Sequence, residues 1–207
     1  MKKRIFTALL FVFAMQLTVA QKDKDMVDAT ITLTDGTTKT GKLKMPLDMS
    51  SSSYKLKNNG QTEKIENENI EKLTCTDGGF TYNYYNMAFD DGGGVKKKKR
   101  LMMLSIPVGK VKMYSYAWGA SNFRPVYNMQ ALNTAGVSQY CKRDNEDFVT
   151  LISLDDGNSV NRNSIFKNRA MKYFADNAAL VEKIKNKEYK FTDVYKVVME
   201  YNGQITD

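Results

Sequence analysis

The feature that most limits what this chain can fold into is its punctuation. From residue 26 to residue 89, short alternating segments are cut by turn dipeptides. Ala29, Ile31 and Leu33 alternate with Thr30, Thr32 and Thr34, and Asp35-Gly36 follows. Residues 38–45 return with Gly41, Leu43 and Met45 on one side, and Pro46 ends that segment. Tyr54 and Leu56 mark a short strand, Asn59-Gly60 a second turn, and residues 61–65 the return. Residues 70–76 and 80–89 flank Asp77-Gly78-Gly79. Strand side chains alternate faces with period two, and Asp-Gly or Asn-Gly supplies the positive φ of a tight hairpin. Strands this short, joined in this way, predict a meandering antiparallel barrel or sandwich.

The pattern continues past residue 100. Residues 101–106 read as a buried strand, and Pro107-Val108-Gly109 as a tight turn. Residues 110–116 place Val111 and Met113 on one face. Residues 137–142 and 147–154 read as strands, and 117–136 as a long loop with a short helix near 129–133. The Tyr82, Tyr84 and Tyr85 cluster reads as sheet packing. After Gly157 the period changes. Ile165, Met171 and Phe174 suggest one short helix. Asp176 or Asn177 caps a second, with Leu180, Val181 and Ile184 inward. Thr192 caps a third, whose Val194, Val197, Val198 and Tyr201 form an i, i+3, i+4, i+7 stripe ended by Asn202-Gly203. The expected fold class is therefore α+β. An antiparallel β-barrel or sandwich over residues 21–160 is followed by two or three short helices over 161–203, packed on it.

Residues 1–20 read as a signal peptide. Lys2, Lys3 and Arg4 precede an apolar stretch over 5–19, and Thr18-Val19-Ala20 offers small residues for cleavage before Gln21. The alternative is an uncleaved anchor, but the stretch is shorter than the ~20 apolar residues of a spanning helix. No later segment is apolar enough to be a transmembrane span. The expected location is exported: periplasmic, outer-membrane-associated or secreted. In an oxidising compartment Cys75 and Cys141 allow two readings, a structural disulfide or two separate buried thiols. They are far from the CxxC spacing of a redox pair.

The charge is unevenly placed. The chain has 31 Lys and Arg against 23 Asp and Glu, a net charge of +8. Three of the positive charges lie in the signal segment. Residues 21–91 hold nine lysines and twelve acids, and residues 144–207 nine basic and eleven acidic residues. Residues 92–143 hold ten Lys and Arg and no acid. That stretch opens with three glycines and Lys96-Lys97-Lys98-Lys99-Arg100, and it contains Tyr116 and Trp118. One reading is a solvated hairpin tip; the other is an anion-binding patch. If 101–106 and 110–116 pair, Lys98 and Arg100 come near Tyr116 and Trp118. A cation over an exposed ring there contributes ~0.5–1 kcal/mol.

Histidine is absent, which excludes Ser-His-Asp triads, HExxH zinc proteases and His-ligated metals. Two cysteines are too few for a Cys₄ zinc site or an iron–sulfur cluster. Asp90-Asp91 and Asp155-Asp156 are adjacent acids at turns, poor geometry for paired acid–base work. No phosphate loop is present. The sequence thus predicts no catalytic residue, no metal and no cofactor. Three functional readings follow. The first is a non-enzymatic envelope protein, a binding or structural module for an unidentified envelope partner. The second is a polyanion binder that uses 92–143 on acidic glycans, lipopolysaccharide or anionic lipid headgroups. Nucleic acid is a weaker partner, because export removes the protein from the cell's own pool. The third is a carboxylate-dependent hydrolase.

The layout also resembles a family of exported proteins of Bacteroidetes-type bacteria. The resemblance rests on residues 31–43 with Ile65 and Leu73, and on the hairpin around Val108-Gly109-Lys110-Val111. It rests most on Tyr173-Phe174-Ala175-Asp176, Leu180, Ile184 and Val197-Val198-Met199-Glu200-Tyr201-Asn202. The resemblance implies an SH3-like or barrel-like β part, a helical C-terminus and an extracytoplasmic location. It implies no particular activity and no catalytic residues.

Overall fold

The computed structural model describes residues 25–96, 98–119, 136–156 and 160–205. The expected signal peptide, the helix near 129–133 and Lys97 lie outside the described residues. Eleven strands form one sheet. They are β1 Met26–Leu33, β2 Thr38–Lys44, β3 Ser53–Asn58, β4 Gln61–Glu66, β5 Ile70–Asp77 and β6 Phe80–Met87, then β7 Phe89–Asp90, β8 Arg100–Ile106, β9 Lys112–Trp118, β10 Gly136–Lys142 and β11 Val149–Asp155. Three helices follow: α1 Arg162–Tyr173, α2 Ala178–Lys185 and α3 Val194–Tyr201. The strand order is β4-β3-β2-β1-β5-β6-β8-β9-β10-β11-β7.

Pairing is antiparallel between all sequential hairpins, and the turn dipeptides sit where the sequence placed them. Asp35 accepts the Thr37 N–H at 2.8 Å, which closes the first turn. The segment expected as one strand over 80–89 is broken at Ala88. Its first part pairs with β5 and β8, and its last two residues pair parallel with β11. The order has two ends, β4 and β7, so the eleven-stranded sheet is not closed into a barrel, which was one of the two expected forms. Edge strand β4 carries Glu63, Lys64 and Glu66, charges that discourage further pairing.

The sheet curls, and its core divides accordingly. One cluster joins Ile31 and Leu73 of β1 and β5 to Leu101, Met103, Ala117 and Val137 of β8, β9 and β10. A second places the helices over Met113, Cys141 and Ile152 of β9, β10 and β11, through Phe166, Phe174 and Val197 among others. A third lies on the opposite face of these strands, around Phe89, Met102, Tyr114, Tyr140 and Leu151. Strand β10 is thus buried along almost its whole length. Its sequence reads as a core strand despite Ser138 and Gln139, because both faces are covered.

Helix caps follow the sequence in part. Asn177 caps α2 by accepting the Leu180 N–H at 3.1 Å, while its alternative, Asp176, is engaged elsewhere. Thr192 is not the cap of α3. A 3₁₀ turn over Phe191–Asp193 precedes that helix, and Asp193 accepts the Lys190 N–H at 2.9 Å.

The C-terminal residue of the third amphipathic stripe does more than stop a helix. Asn202 accepts the Val111 N–H at 3.0 Å and donates to the Val111 and Val108 carbonyls at 2.9 and 3.3 Å. It therefore clamps the β8–β9 turn. Gly109, at φ +118°, makes room: a Cβ there would lie 2.3 Å from the Asn202 amide carbon. Asn202→Ala should cost about 1–2 kcal/mol in urea unfolding, because the turn loses three bonds at once, two of them part-buried. An unchanged midpoint would show that water replaces the amide.

Candidate functional site

The basic and aromatic stretch begins at a loop that folds around its own acids. Asp90 Oδ1 accepts the Gly92 and Gly94 N–H groups at 2.8 and 3.1 Å, and Asp91 Oδ1 accepts that of Gly93 at 3.2 Å. These carboxylates bind backbone, as turn acids do. The Lys96 N–H donates to the Phe89 carbonyl at 2.8 Å, and its ammonium lies 3.2 Å from Asp91. From α1, Arg169 Nη2 donates to the Asp91 carbonyl at 2.7 Å and ties the loop to the helices.

Arg100 opens β8 and turns toward the sheet. Its guanidinium carbon lies 4.0 Å from the Phe89 ring centroid and 4.7 Å from that of Tyr116. Its Nη1 donates to the Tyr140 hydroxyl at 2.9 Å. Tyr116 in turn stacks on Trp118, with centroids 5.9 Å apart and an interplanar angle of 25°. The result is a column of Phe89, Arg100, Tyr116 and Trp118. Trp118 reaches its place because residue 136, opposite it on β10, is glycine: a Cβ there would lie 2.1 Å from the indole. Burial pushes the Tyr116 and Tyr140 hydroxyls up, and the Arg100 charge pulls both back. A guanidinium suits this setting, being flat and permanently charged.

Of the residues singled out by sequence, Arg100, Tyr116 and Trp118 come together. Lys96 is turned to Asp91, Lys98 and Lys99 are exposed, and Lys97 lies outside the described residues. The cation of the column is therefore half-buried, over two rings and bonded to a buried tyrosine.

The disulfide alternative is not realised. Cys75 and Cys141 are free and buried, in different core clusters. Strands β6, β8 and β9 lie between them in the sheet. Neighbouring strands are about 4.8 Å apart, and a bridge needs Cα atoms within about 7 Å. Burial pushes the Cys75 thiol up to about 12, with Asp77 adding to the shift. Burial raises Cys141 as well, so both thiols stay protonated and unreactive.

A second charged cluster was not singled out by sequence. Arg143, just past β10, donates to Glu146 at 3.3 Å, to Asp176 at 3.1 Å and to the Tyr173 carbonyl at 2.9 Å. It also donates to the Tyr201 hydroxyl at 3.3 Å, and its guanidinium lies 4.4 Å from the Tyr173 ring. Tyr173 donates to Glu146 at 2.8 Å, and Tyr201 to Asp176. The Tyr201 bond, followed by Arg143, holds the Asp176 carboxyl below its ordinary value despite some desolvation. This network fastens α1 and α3 to the β10–β11 turn. Its partners lie 3 to 58 positions away along the chain, so no local motif announces it.

Among the described residues, no group of three or more His, Cys, Asp or Glu is placed to hold a metal ion. No described helix is long and apolar enough to cross a membrane. Comparison with protein-family models, curated proteins and solved structures gave no match.

Proposed function

We propose that this chain is an exported, non-enzymatic envelope protein, a binding or structural module. The supporting observation is that, among the described residues, the turn acids Asp90, Asp91 and Asp155, Arg100 and both cysteines are engaged in holding the fold. Asp90 and Asp91 bind their own loop, and Asp155 pairs with Arg162. Arg100 is stacked and bonded, and both thiols are buried and neutral. The basic start, apolar stretch and small-residue end of residues 1–20 support export. The resemblance to exported proteins of Bacteroidetes-type bacteria points the same way. Strands β6 to β11 are read as an SH3-like unit, since β7 continues from β6 and pairs with β11.

A second reading places a polyanion on 92–143. Exposed Lys98 and Lys99 beside the aromatic column support it. The internal engagement of Lys96 and Arg100 weakens it.

The test is cell fractionation followed by N-terminal sequencing of the recovered protein. The expected result is a chain beginning at Gln21 in the envelope or medium. A cytoplasmic chain still beginning at Met1 would overturn the reading.

A further inference from the structure

Local charge counts hide a second basic surface. Residues 21–91 are net acidic by count, but strands separate their residues by face. On β2, Leu43 is buried while Lys42 and Lys44 are exposed; on β3, Tyr54 and Leu56 are buried while Lys55 and Lys57 are exposed. On β4, Ile65 is buried and Lys64 is exposed. Register joins the lysines across strands: Lys42 pairs with Lys57, and Lys55 with Lys64. Carrying the first register on by two residues sets Lys44 beside Lys55. Five lysines thus occupy one face of three strands, with steps of about 7 Å along a strand and about 4.8 Å between strands. Among the described residues, Asp28 lies 3.6 Å from Lys42 and Glu66 lies 2.7 Å from Lys64 on that side. By face alternation the lysines outnumber the acids among the described residues of these three strands.

Beside the lysines runs an open groove of about 530 Å³. It is lined by Thr30, Thr40 and Thr74 and, from the β3–β4 turn, by Asn58 and Asn59. Lys42 and Lys57 stand at its border. Hydroxyls and amides here are suited to a ligand that itself carries many hydroxyls. The outward positions of β2, β3 and β4 hold Thr, Ser, Lys and Glu and no apolar side chain. A surface without apolar anchors is poorly made for inserting into a bilayer.

We propose that this face binds a polyanionic polysaccharide, with the lysine rows meeting its acidic groups and the groove its hydroxyls. The face is separate from the 96–100 run. The choice of polysaccharide over nucleic acid rests on the export reading above; the lysine face itself does not.

Heparin serves as the probe. Retention of the purified protein on a heparin column should fall with salt, as screening demands. Lys42→Gln/Lys44→Gln/Lys55→Gln should weaken heparin binding about tenfold or more, because three counterion-releasing contacts are lost. Lys98→Gln/Lys99→Gln should leave it nearly unchanged. A footprint on the wild-type protein needs no variant: heparin should protect Lys42, Lys44, Lys55, Lys57 and Lys64 from acylation more than Lys98 and Lys99. Protection confined to Lys98 and Lys99 would overturn the proposal, as would binding to phosphatidylglycerol vesicles without retention on heparin. Heparin retention by a protein that remains in the cytoplasm would overturn the polysaccharide as partner and the export reading together. Export without heparin retention would overturn the lysine face alone.

Discussion

Arg143→Met should destabilise the protein by about 2–4 kcal/mol, measured by urea unfolding. The methionine keeps much of the packing and the backbone N–H bond to Glu146, and loses every polar contact of the guanidinium. Glu146, three-quarters buried, then faces the Tyr173 hydroxyl without its cation. The Tyr173 carbonyl and the Tyr201 hydroxyl each lose a donor. Against a net stability of about 5–15 kcal/mol for a domain, the loss is large. Asp176→Asn should cost much less, because that carboxylate is mostly exposed and its pairing is screened. The sign of the pH effect follows from the depressed Asp176 carboxyl. Its contribution is complete above the ordinary value of 3.8 and is lost as the pH falls through the lower folded value. The wild-type protein should therefore lose more stability below about pH 4 than the Arg143→Met variant does. Parallel acid profiles would remove Arg143 as the source of the shift.

How much of this was legible depends on the range of each interaction. Hairpins such as those at Asp35-Gly36 and Asn59-Gly60 are local, and their strands stand where alternation and turn chemistry put them. The pairing of β8 with β9 is equally local, which is why Arg100 beside Tyr116 could be anticipated from spacing. The break at Ala88 was not legible, because it is set by pairing with β11 some sixty residues later. Thr192 looked like a cap, yet a 3₁₀ turn with Asp193 satisfies the chain there. The Arg143 network draws on α1, α3 and the β10–β11 turn, and no window of sequence contains them together. The β2–β4 lysines were visible as the i, i+2 pairs Lys42/Lys44 and Lys55/Lys57. Summing charge along the chain concealed them, since exposed lysines and unrelated acids cancel in a count and not in space.

Removing Arg100 tests whether the aromatic column is a structural device. Arg100→Ala should cost about 2–3 kcal/mol and shift the emission of Trp118 to longer wavelength. Two losses add in the stability term. The Tyr140 hydroxyl, on a fully buried residue, loses one of its partners, and the Phe89 and Tyr116 rings lose the guanidinium over them. The optical term follows from the stacking: Tyr116 contacts both Arg100 and Trp118, so releasing it lets water reach the indole. Trp118 is the only tryptophan in the chain, so its emission reports this site alone. Arg100→Lys discriminates stacking from charge. An ammonium keeps the charge but cannot lie flat between two rings, so it should recover less than half of the lost stability. Full recovery by lysine would mean that charge, and not the planar stack, holds the column. Unchanged stability and emission in Arg100→Ala would mean that Arg100 is dispensable to the fold, and would return it to the exposed cations available for an anionic partner.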